Sequence, residues 1–430
     1  MARKMKDSGI EWIGEIPEEW KTKRLGAILQ ERNEVNNPIQ TTSILSLTNN
    51  RGVIPYSEKG NQGNKAKDDL TGYKIAHIGD IVLNSMNVII GSVGLSNYYG
   101  AVSPVYYMLF PRNNIETNIQ YYNYLFQTTA FQQSLRGYGN GILEIRMRIQ
   151  MQKLKTVLLP VPTFLEQSNI TVYLDASLSK LNILLSKTRS SIEEYKKLKQ
   201  AVITQAVTKG VRGEREMKDS GVEWIGKIPK EWVIQKIKSI SSRINVGVVI
   251  RPSEYFDENG TVPFLRGINV KEYVISSDNM VYINESSNRI LSKSQVHTDD
   301  ILIVRDGSIG TSCVVPAEFD GANVVSMVIA TPSISCDSRF ICYSLNSDVG
   351  KTQFTLTKIG SALTHTSVSA VSDIIVAVPS CAEQKEIADY LDAKCAEIDK
   401  LIAKKEQLVK ELENYKKSLI YEVVTGKREV

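Results

Sequence analysis

The chain contains the same order of motifs twice. Residues 5–20 read MKDSGIEWIGEIPEEW and residues 217–232 read MKDSGVEWIGKIPKEW, which agree at 13 of 16 positions. We call each of these two segments a Trp motif, because together they contain every tryptophan of the chain. Further along, residues 161–210 and 378–427 align without gaps and share 16 of 50 residues. A repeat of this kind indicates that each half is one structural module. With 430 residues, the chain is also long enough for more than one hydrophobic core.

Each segment that follows Val161 and Val378 predicts a long helix. A proline lies just before each segment, a Glu-Gln pair stands in its first turn, and no Pro or Gly follows until Gly210 or Gly426. Apolar residues recur at alternating steps of four and three, the seam pattern of a coiled coil. The first seam is Leu174, Leu178, Leu181, Leu185, Thr188, Ile192, Tyr195, Lys199, Val202 and Ala206. The second is Leu391, Cys395, Ile398, Ile402, Lys405, Val409, Leu412, Lys416, Leu419 and Val423.

A single helix of this kind would leave its seam in water, so we expect the two helices to pack on each other as an antiparallel pair. The predicted fold is α+β, with two globular mixed α/β domains, a pseudo-two-fold internal repeat and an antiparallel coiled-coil spacer. We predict domains at 1–160 and 217–377 and helical repeats at 161–216 and 378–430. The globular segments share a residue pattern, since GDIVLNSMNVIIGSVG at 79–94 resembles DDILIVRDGSIGTS at 299–312. Each predicts an acidic turn, a buried strand and a glycine turn.

Composition excludes several classes of protein. The chain is 42% hydrophobic and 23% charged, which is ordinary for a folded globular protein. No signal peptide or membrane span is recognisable, and five cysteines without a C-x-x-C pair fit a reducing cytoplasm. The net charge of +5 is small, but residues 1–160 carry 18 basic and 13 acidic side chains against 15 and 17 in 217–377.

Motifs for catalysis are missing from the sequence. No Pro-Pro occurs, which excludes the usual adenine-methyltransferase motif, and neither G-x-x-x-x-G-K-[ST] nor H-E-x-x-H is present. Asp373, Glu383 and Lys385 imitate the spacing of a nuclease site. The first copy has Glu166-Gln167-Ser168 and lacks the lysine, so we interpret these acids as helix-start residues. The three histidines are scattered along the chain, which argues against a metal site.

The two Trp motifs, the helix starts VPTFLEQ and VPSCAEQKEI, and the helix ends ITQAVTKG and IYEVVTGK resemble the specificity subunit of type I restriction–modification systems. The resemblance covers essentially the whole chain. It implies that each globular segment is a target recognition domain that reads half of a bipartite double-stranded DNA site, while the helices set the spacer. It also implies a non-catalytic, cytoplasmic subunit.

The resemblance further implies partners. Methyltransferase subunits, two in number, would dock on the helices, and a restriction and translocase subunit would complete the complex. S-adenosylmethionine, ATP and Mg would then be bound only by those partner subunits, with no cofactor, no metal and no membrane contact in this chain.

DNA is read by cations at phosphates and by Arg, Lys, Asn, Gln, Ser or Thr at base edges. Three segments of each globular region offer such side chains. In the first region they are 49–67, 84–87 and 136–155. In the second they are 266–271, 305–308 and 358–367. The candidates in the first region are Asn49, Arg51, Lys59, Lys65, Asn87, Tyr138, Asn140, Arg146 and Arg148. Those in the second are Arg266, Asn269, Lys271, Arg305, Ser308, Lys358, Thr364 and His365.

Two alternatives stay open. The chain could be a coiled-coil scaffold whose globular ends bind proteins, although the two Trp motifs weigh against this. It could also be the specificity subunit of a system whose nuclease and methyltransferase are fused in one partner. We expect the four tryptophans to anchor the globular regions to the helices. We expect the tyrosines between 98 and 124 to lie in strands and core.

Overall fold

A computed structural model of the chain describes residues 3–49, 51–60, 65–140, 148–359 and 365–430. The chain forms two compact units, Met1–Arg189 with Gln407–Val430, and Ser190–Glu406. The first unit contains the start of the first long helix, Phe164–Lys209, and the end of the second, Cys381–Val424. The second unit contains the other part of each helix. The predicted α+β class and both long helices are confirmed, and the four domain boundaries stay predictions.

The first unit combines short strands with a few short helices. Its strands are Met5–Ile10, Gly14–Pro17, Lys21–Arg24, Leu29–Arg32, Leu45–Thr48, Gly52–Pro55, Lys74–Ala76, Ile81–Asn84, Val93–Leu95, Gly100–Val102, Tyr106–Pro111, Gly139–Asn140, Arg148–Ile149 and Leu158–Val161. Its shorter α-helices are Leu25–Ile28, Ile119–Phe126, Thr129–Ser134 and Met151–Leu154. Turns of 3₁₀-helix lie at Tyr56–Glu58, Val88–Ile90 and Leu135–Tyr138.

A four-stranded antiparallel sheet is central to the first unit. Its strands lie in the order Leu29–Arg32, Tyr106–Pro111, Ile81–Asn84 and Val93–Leu95. Every residue of Ile81–Asn84 is buried, because side chains pack on both faces of this inner strand. That burial explains why the strand Ile81–Asn84 carries no charge.

The second unit is built in the same way. Its strands are Met217–Asp219, Lys227–Pro229, Val233–Lys236, Ser241–Val246, Val262–Leu265, Val270–Lys271, Val274–Ile275, Val281–Ile283, Ile301–Ile303, Ser312–Val314, Asn323–Val324, Val328–Pro332 and Ile375–Val378. Its shorter α-helices are Ile237–Ile240, Glu285–Ile290, Ser338–Asn346, Asp348–Ile359 and Val368–Ser372. Turns of 3₁₀-helix lie at Pro252–Tyr255, Gly267–Asn269, Ser292–Ser294 and Ala317–Phe319.

Its four-stranded sheet has the equivalent order, Ser241–Val246, Val328–Pro332, Ile301–Ile303 and Ser312–Val314. A buried aspartate precedes the inner strand in both units. Asp80 accepts from Arg32 Nε at 2.9 Å, and Asp300 accepts from Arg243 Nη2 at 3.0 Å. The hydrogen bond to Asp80 raises the pKa of Arg32. The shared residue pattern of 79–94 and 299–312 therefore reflects one repeated substructure, a buried aspartate followed by the inner strand of the sheet.

The two long helices run antiparallel inside each unit. In the first unit Lys416 Nζ donates to Asn182 Oδ1 at 2.8 Å, and Arg189 Nη2 donates to Glu413 at 2.5 Å. In the second unit Lys199 Nζ lies 2.6 Å from Asp399 Oδ2. Every residue of the two predicted seams is buried or half-buried, so the coiled-coil prediction is confirmed.

The Trp motifs form β-hairpins with the same register, Met5 opposite Pro17 and Met217 opposite Pro229. Trp20 and Trp232 are fully buried, as predicted for anchors. The prediction fails for Trp224, which is 38% exposed.

The tyrosine prediction is partly wrong as well. Tyr107, Tyr121, Tyr122 and Tyr124 are buried, but Tyr98 and Tyr99 are 40% and 41% exposed because they stand in the turn before Gly100–Val102. Among the described residues, no helix has the length and apolar character needed to cross a membrane.

Candidate nucleic-acid interface

A groove of about 980 Å³ in the first unit brings together two of the three predicted segments. Five candidates line it: Asn49, Arg51, Lys59, Lys65 and Asn87. The strands that shape the groove are Leu45–Thr48 and Gly52–Pro55, which pair with each other and contact the strand Val93–Leu95. Candidates that are far apart in the chain therefore share one surface.

Close backbone approach and hydrogen bonds fix this groove. A Cβ added to Gly94 would lie 2.9 Å from Gly52 Cα, so glycine is needed where the strands Val93–Leu95 and Gly52–Pro55 approach each other. Ser92 Oγ donates to Asn49 Oδ1 at 2.6 Å, which orients the amide. Arg51 forms an ion pair with Glu58, so part of its charge is already neutralised.

The third predicted segment lies beside the turn that follows Ile81–Asn84. Gly139–Asn140 pairs with Arg148–Ile149, and Ile149 N donates to Ser85 O at 2.9 Å. Arg148 is exposed, whereas Tyr138 is half-buried and packs against the core. Arg146 lies outside the described residues, as does the side chain of Asn140.

The second unit brings its three segments to the end of the strand Ile301–Ile303. Thr366 N donates to Arg305 O at 3.1 Å, and Asp306 forms a β-bridge with His365. A Cβ at Gly267 would lie 3.5 Å from Val304 Cγ1, which places the turn of 266–271 next to this site.

The remaining candidate DNA-binding residues of the second unit differ in how exposed their side chains are. Lys271 and Ser308 are exposed, and His365 is half-buried. Thr364 and the side chain of Lys358 lie outside the described residues.

Asn269 has a role that its residue type did not predict. Its side chain is fully buried, and Oδ1 accepts from Arg266 N at 3.1 Å. Its Nδ2 donates to Ser276 O at 3.1 Å and Asp278 O at 2.9 Å. Because the amide is used inside the turn, Asn269 holds the backbone that presents Arg266 and Lys271. Arg266 Nη2 itself donates to Asn279 O.

Some residues of the first groove were missed. Ser46, Ile90 and Tyr106 also line it, and Ile90 is 56% exposed. Ile90 lies in the uncharged run 81–111 beyond the predicted segment 84–87, where the sequence gives no sign of an interface. An apolar side chain beside polar groups can contact a thymine methyl group.

The nuclease-like acids are structural. Glu383 is buried and accepts from Arg215 Nη1 at 2.6 Å. Asp373 accepts from Lys238 at 2.9 Å and Lys236 at 3.0 Å, and these hydrogen bonds lower the pKa of Asp373. Within the described ranges, no group of three His, Cys, Asp or Glu side chains could hold a metal ion.

The chain is similar to known specificity subunits. It is 24% identical to the type I restriction enzyme MjaVIII specificity subunit of Methanocaldococcus jannaschii, over 96% of this chain and 93% of that protein. It is 23% identical to the EcoKI specificity subunit of Escherichia coli, over 47% of this chain and 44% of that protein.

Solved structures share the fold. A chain from a study of type I restriction–modification complex assembly matches with a TM-score of 0.74 at 13% identity, over 96% of this chain and 99% of that chain. The HsdS subunit of Thermoanaerobacter tengcongensis matches with a TM-score of 0.53 at 14% identity, over 96% and 98%. The sequence profile of the type I restriction modification DNA specificity domain matches residues 17–194 and 229–413. The chain therefore belongs to the family of type I restriction modification DNA specificity domains.

Proposed function

We propose that this chain is the sequence-specific DNA-binding subunit of a type I restriction–modification complex and that each unit reads one half of a bipartite site. The observation that carries the proposal is the repeated placement of polar loops. In both units polar loops gather at the end of the inner strand, which is Ile81–Asn84 in the first unit and Ile301–Ile303 in the second. A buried aspartate, Asp80 or Asp300, precedes that strand. Two copies of one recognition surface with different side chains suit two different half-sites.

Exposed cations at these loops supply phosphate contacts. Lys65 and Arg148 stand on the first unit and Lys271 on the second. Phosphate contacts release counterions, so binding weakens as salt rises. The basic excess of residues 1–160 supports a larger salt-dependent contribution from the first unit.

The proposal assigns recognition to this chain and chemistry to its partners. Two methyltransferase subunits and a restriction and translocase subunit would bind S-adenosylmethionine, ATP and Mg. Methylation of a base requires that it leave the helix stack, so this chain would hold the duplex while it is distorted.

The spacer between the half-sites is proposed to depend on the long helices. Insertions within residues 196–209 would disturb the second unit, because Gln200 Nε2 donates to Asn346 O at 2.9 Å and Thr204 Oγ1 accepts from Asp348 N at 3.0 Å. A better design places one heptad between residues 189 and 190 and another between 406 and 407, since a heptad preserves the seam. We expect the unread spacer to change length while both half-sites stay the same.

The test is selection of bound duplexes from a random library. The full chain would be co-purified with the methyltransferase subunits encoded beside its gene. An enriched motif with two specific parts and a fixed gap supports the proposal. A complex that assembles and enriches no sequence would contradict it and would favour the protein-binding scaffold.

A further inference from the structure

Arg305 is fixed by the backbone of a neighbouring segment. It follows the buried strand Ile301–Ile303, and its Nε donates to Thr366 O at 2.9 Å. In return Thr366 N donates to Arg305 O at 3.1 Å. These two bonds tie the side chain and main chain of Arg305 to one residue, so the guanidinium loses little further freedom when it binds a ligand.

The outer edge of this guanidinium is free within the described part of the chain. A guanidinium has five N–H donors, and the bond to Thr366 uses the one on Nε. Neither Nη atom has a hydrogen-bond partner or a carboxylate among the described residues. By contrast, Arg243 is paired with Asp300 and Arg251 with Glu254.

The fold itself does not require arginine at this position. Ser85 is the equivalent residue of the first unit, because Ile149 N donates to Ser85 O as Thr366 N donates to Arg305 O. Ser85 is fully buried, and its Oγ donates to Val105 O at 2.7 Å. The position after the inner strand is therefore occupied by the small, buried Ser85 in the first unit and by the half-buried Arg305 in the second.

The two parallel N–H donors of a planar guanidinium match the spacing of two acceptors on guanine. Guanine presents O6 and N7 side by side in the major groove, and bidentate arginine is their commonest partner. Phosphate also accepts a bidentate arginine, but a phosphate contact tolerates lysine and carries no sequence information.

We propose that Arg305 reads a guanine in the half-site of the second unit, with its two Nη groups donating to O6 and N7. This inference rests on the proposed function of the chain as a DNA specificity subunit. Its counterpart at Ser85 makes no such contact, so the guanine is specific to one half-site.

The experiment compares R305K and R305Q with the unchanged chain in the library selection described above. Lysine keeps the positive charge and glutamine keeps some hydrogen-bonding capacity, but neither reproduces the arginine fork. The matched control is R289K, an exposed arginine of the same unit at the helix Glu285–Ile290.

The unchanged chain should select a fixed guanine in one half-site. Both variants should lower the preference for guanine at that single position by about 5- to 150-fold, and they should leave the other half-site intact. R289K should select the original motif. The intact half-site also shows that each variant is folded and assembled.

Two results would overturn the inference. One is an unchanged motif in R305K and R305Q. The other is loss of selection in both half-sites, which would give Arg305 a structural role. If the unchanged chain itself selects no motif, it is the proposed function that fails.

Discussion

Trp20 Nε1 donates a hydrogen bond of 3.1 Å to Glu166 Oε1, which joins the first Trp motif to the start of the first long helix. Arg3 lies over the Trp20 ring at 5.6 Å and pairs with the same carboxylate. The second copy repeats the arrangement with Arg215 over Trp232 at 5.7 Å and paired with Glu383. It differs in one bond, because Trp232 Nε1 has no partner among the described residues.

This difference predicts unequal effects of the same substitution. W20F removes a hydrogen bond to a charged group, whereas W232F removes an indole N–H that has no described partner. Since both lose similar ring volume, we expect W20F to cost about 1.5–3 kcal/mol more than W232F. Hydrogen exchange of the helix starts at 164–178 and 381–395 measures each loss. Equal losses would contradict the assigned role of the bond.

Glu166 should also make the first unit sensitive to acid. Burial by itself raises the pKa of Glu166, but hydrogen bonds from Trp20, Arg3 and Thr163 outweigh it and hold this pKa below the ordinary 4.5. A lowered pKa stabilises the folded state above the unfolded value, and this stability is lost as the pH falls through the folded value.

E166Q removes this contribution. The variant should therefore be less stable than the unchanged chain at pH 7, and the difference should shrink as the pH falls below about 4. Hydrogen exchange at 164–178, corrected for the intrinsic rate at each pH, measures the difference. A constant difference down to about pH 3 would contradict the assignment.

The helix seam predicts a second contrast. Ile398 is 2% exposed in the seam, whereas Leu408 is 39% exposed on the same helix. I398A should cost about 2–5 kcal/mol because it opens a cavity, and L408A should cost less than about 0.5 kcal/mol. Urea unfolding followed by circular dichroism compares them. Equal losses of unfolding free energy in I398A and L408A would contradict the assignment of Ile398 to the packed seam between the helices.

Lys65 should contribute to affinity without contributing to sequence choice. K65Q should lower the slope of log affinity against log salt by about 1 for every DNA sequence, because one phosphate contact is lost. K404Q, an exposed lysine on the second long helix, is the control. A changed recognition motif in K65Q would contradict a phosphate role.

This measurement needs the full chain. A fragment that ends at residue 216 would lack Leu419, Ile420, Val423 and Val424, which belong to the core of the first unit. Tyr121 Oη also donates to Val424 O at 2.8 Å.

The sequence predicts the repeated parts of the fold because their physical causes are local. The seam residues repeat at helical spacing, and the hairpins of the Trp motifs are nearly identical, so both copies could be recognised without a structure. The equivalence of Asp80 and Asp300 also followed from the pattern around each inner strand.

Contacts between distant segments are what the sequence could not supply. Nothing in the sequence shows that Val424 completes the hydrophobic core that contains Tyr121. Asn269 has the composition of a DNA-reading residue, but its burial inside a turn depends on Ser276 and Asp278. Tertiary context decides such roles, so residue type alone predicts the region and not the individual contact.

Methylome sequencing of cells that co-express this chain with its neighbouring methyltransferase is the decisive test of bipartite recognition. We predict methylated adenines within a two-part motif separated by a fixed number of unspecified bases. Methylation in a continuous motif, or no methylation by a complex shown to assemble, would contradict recognition by two separate units.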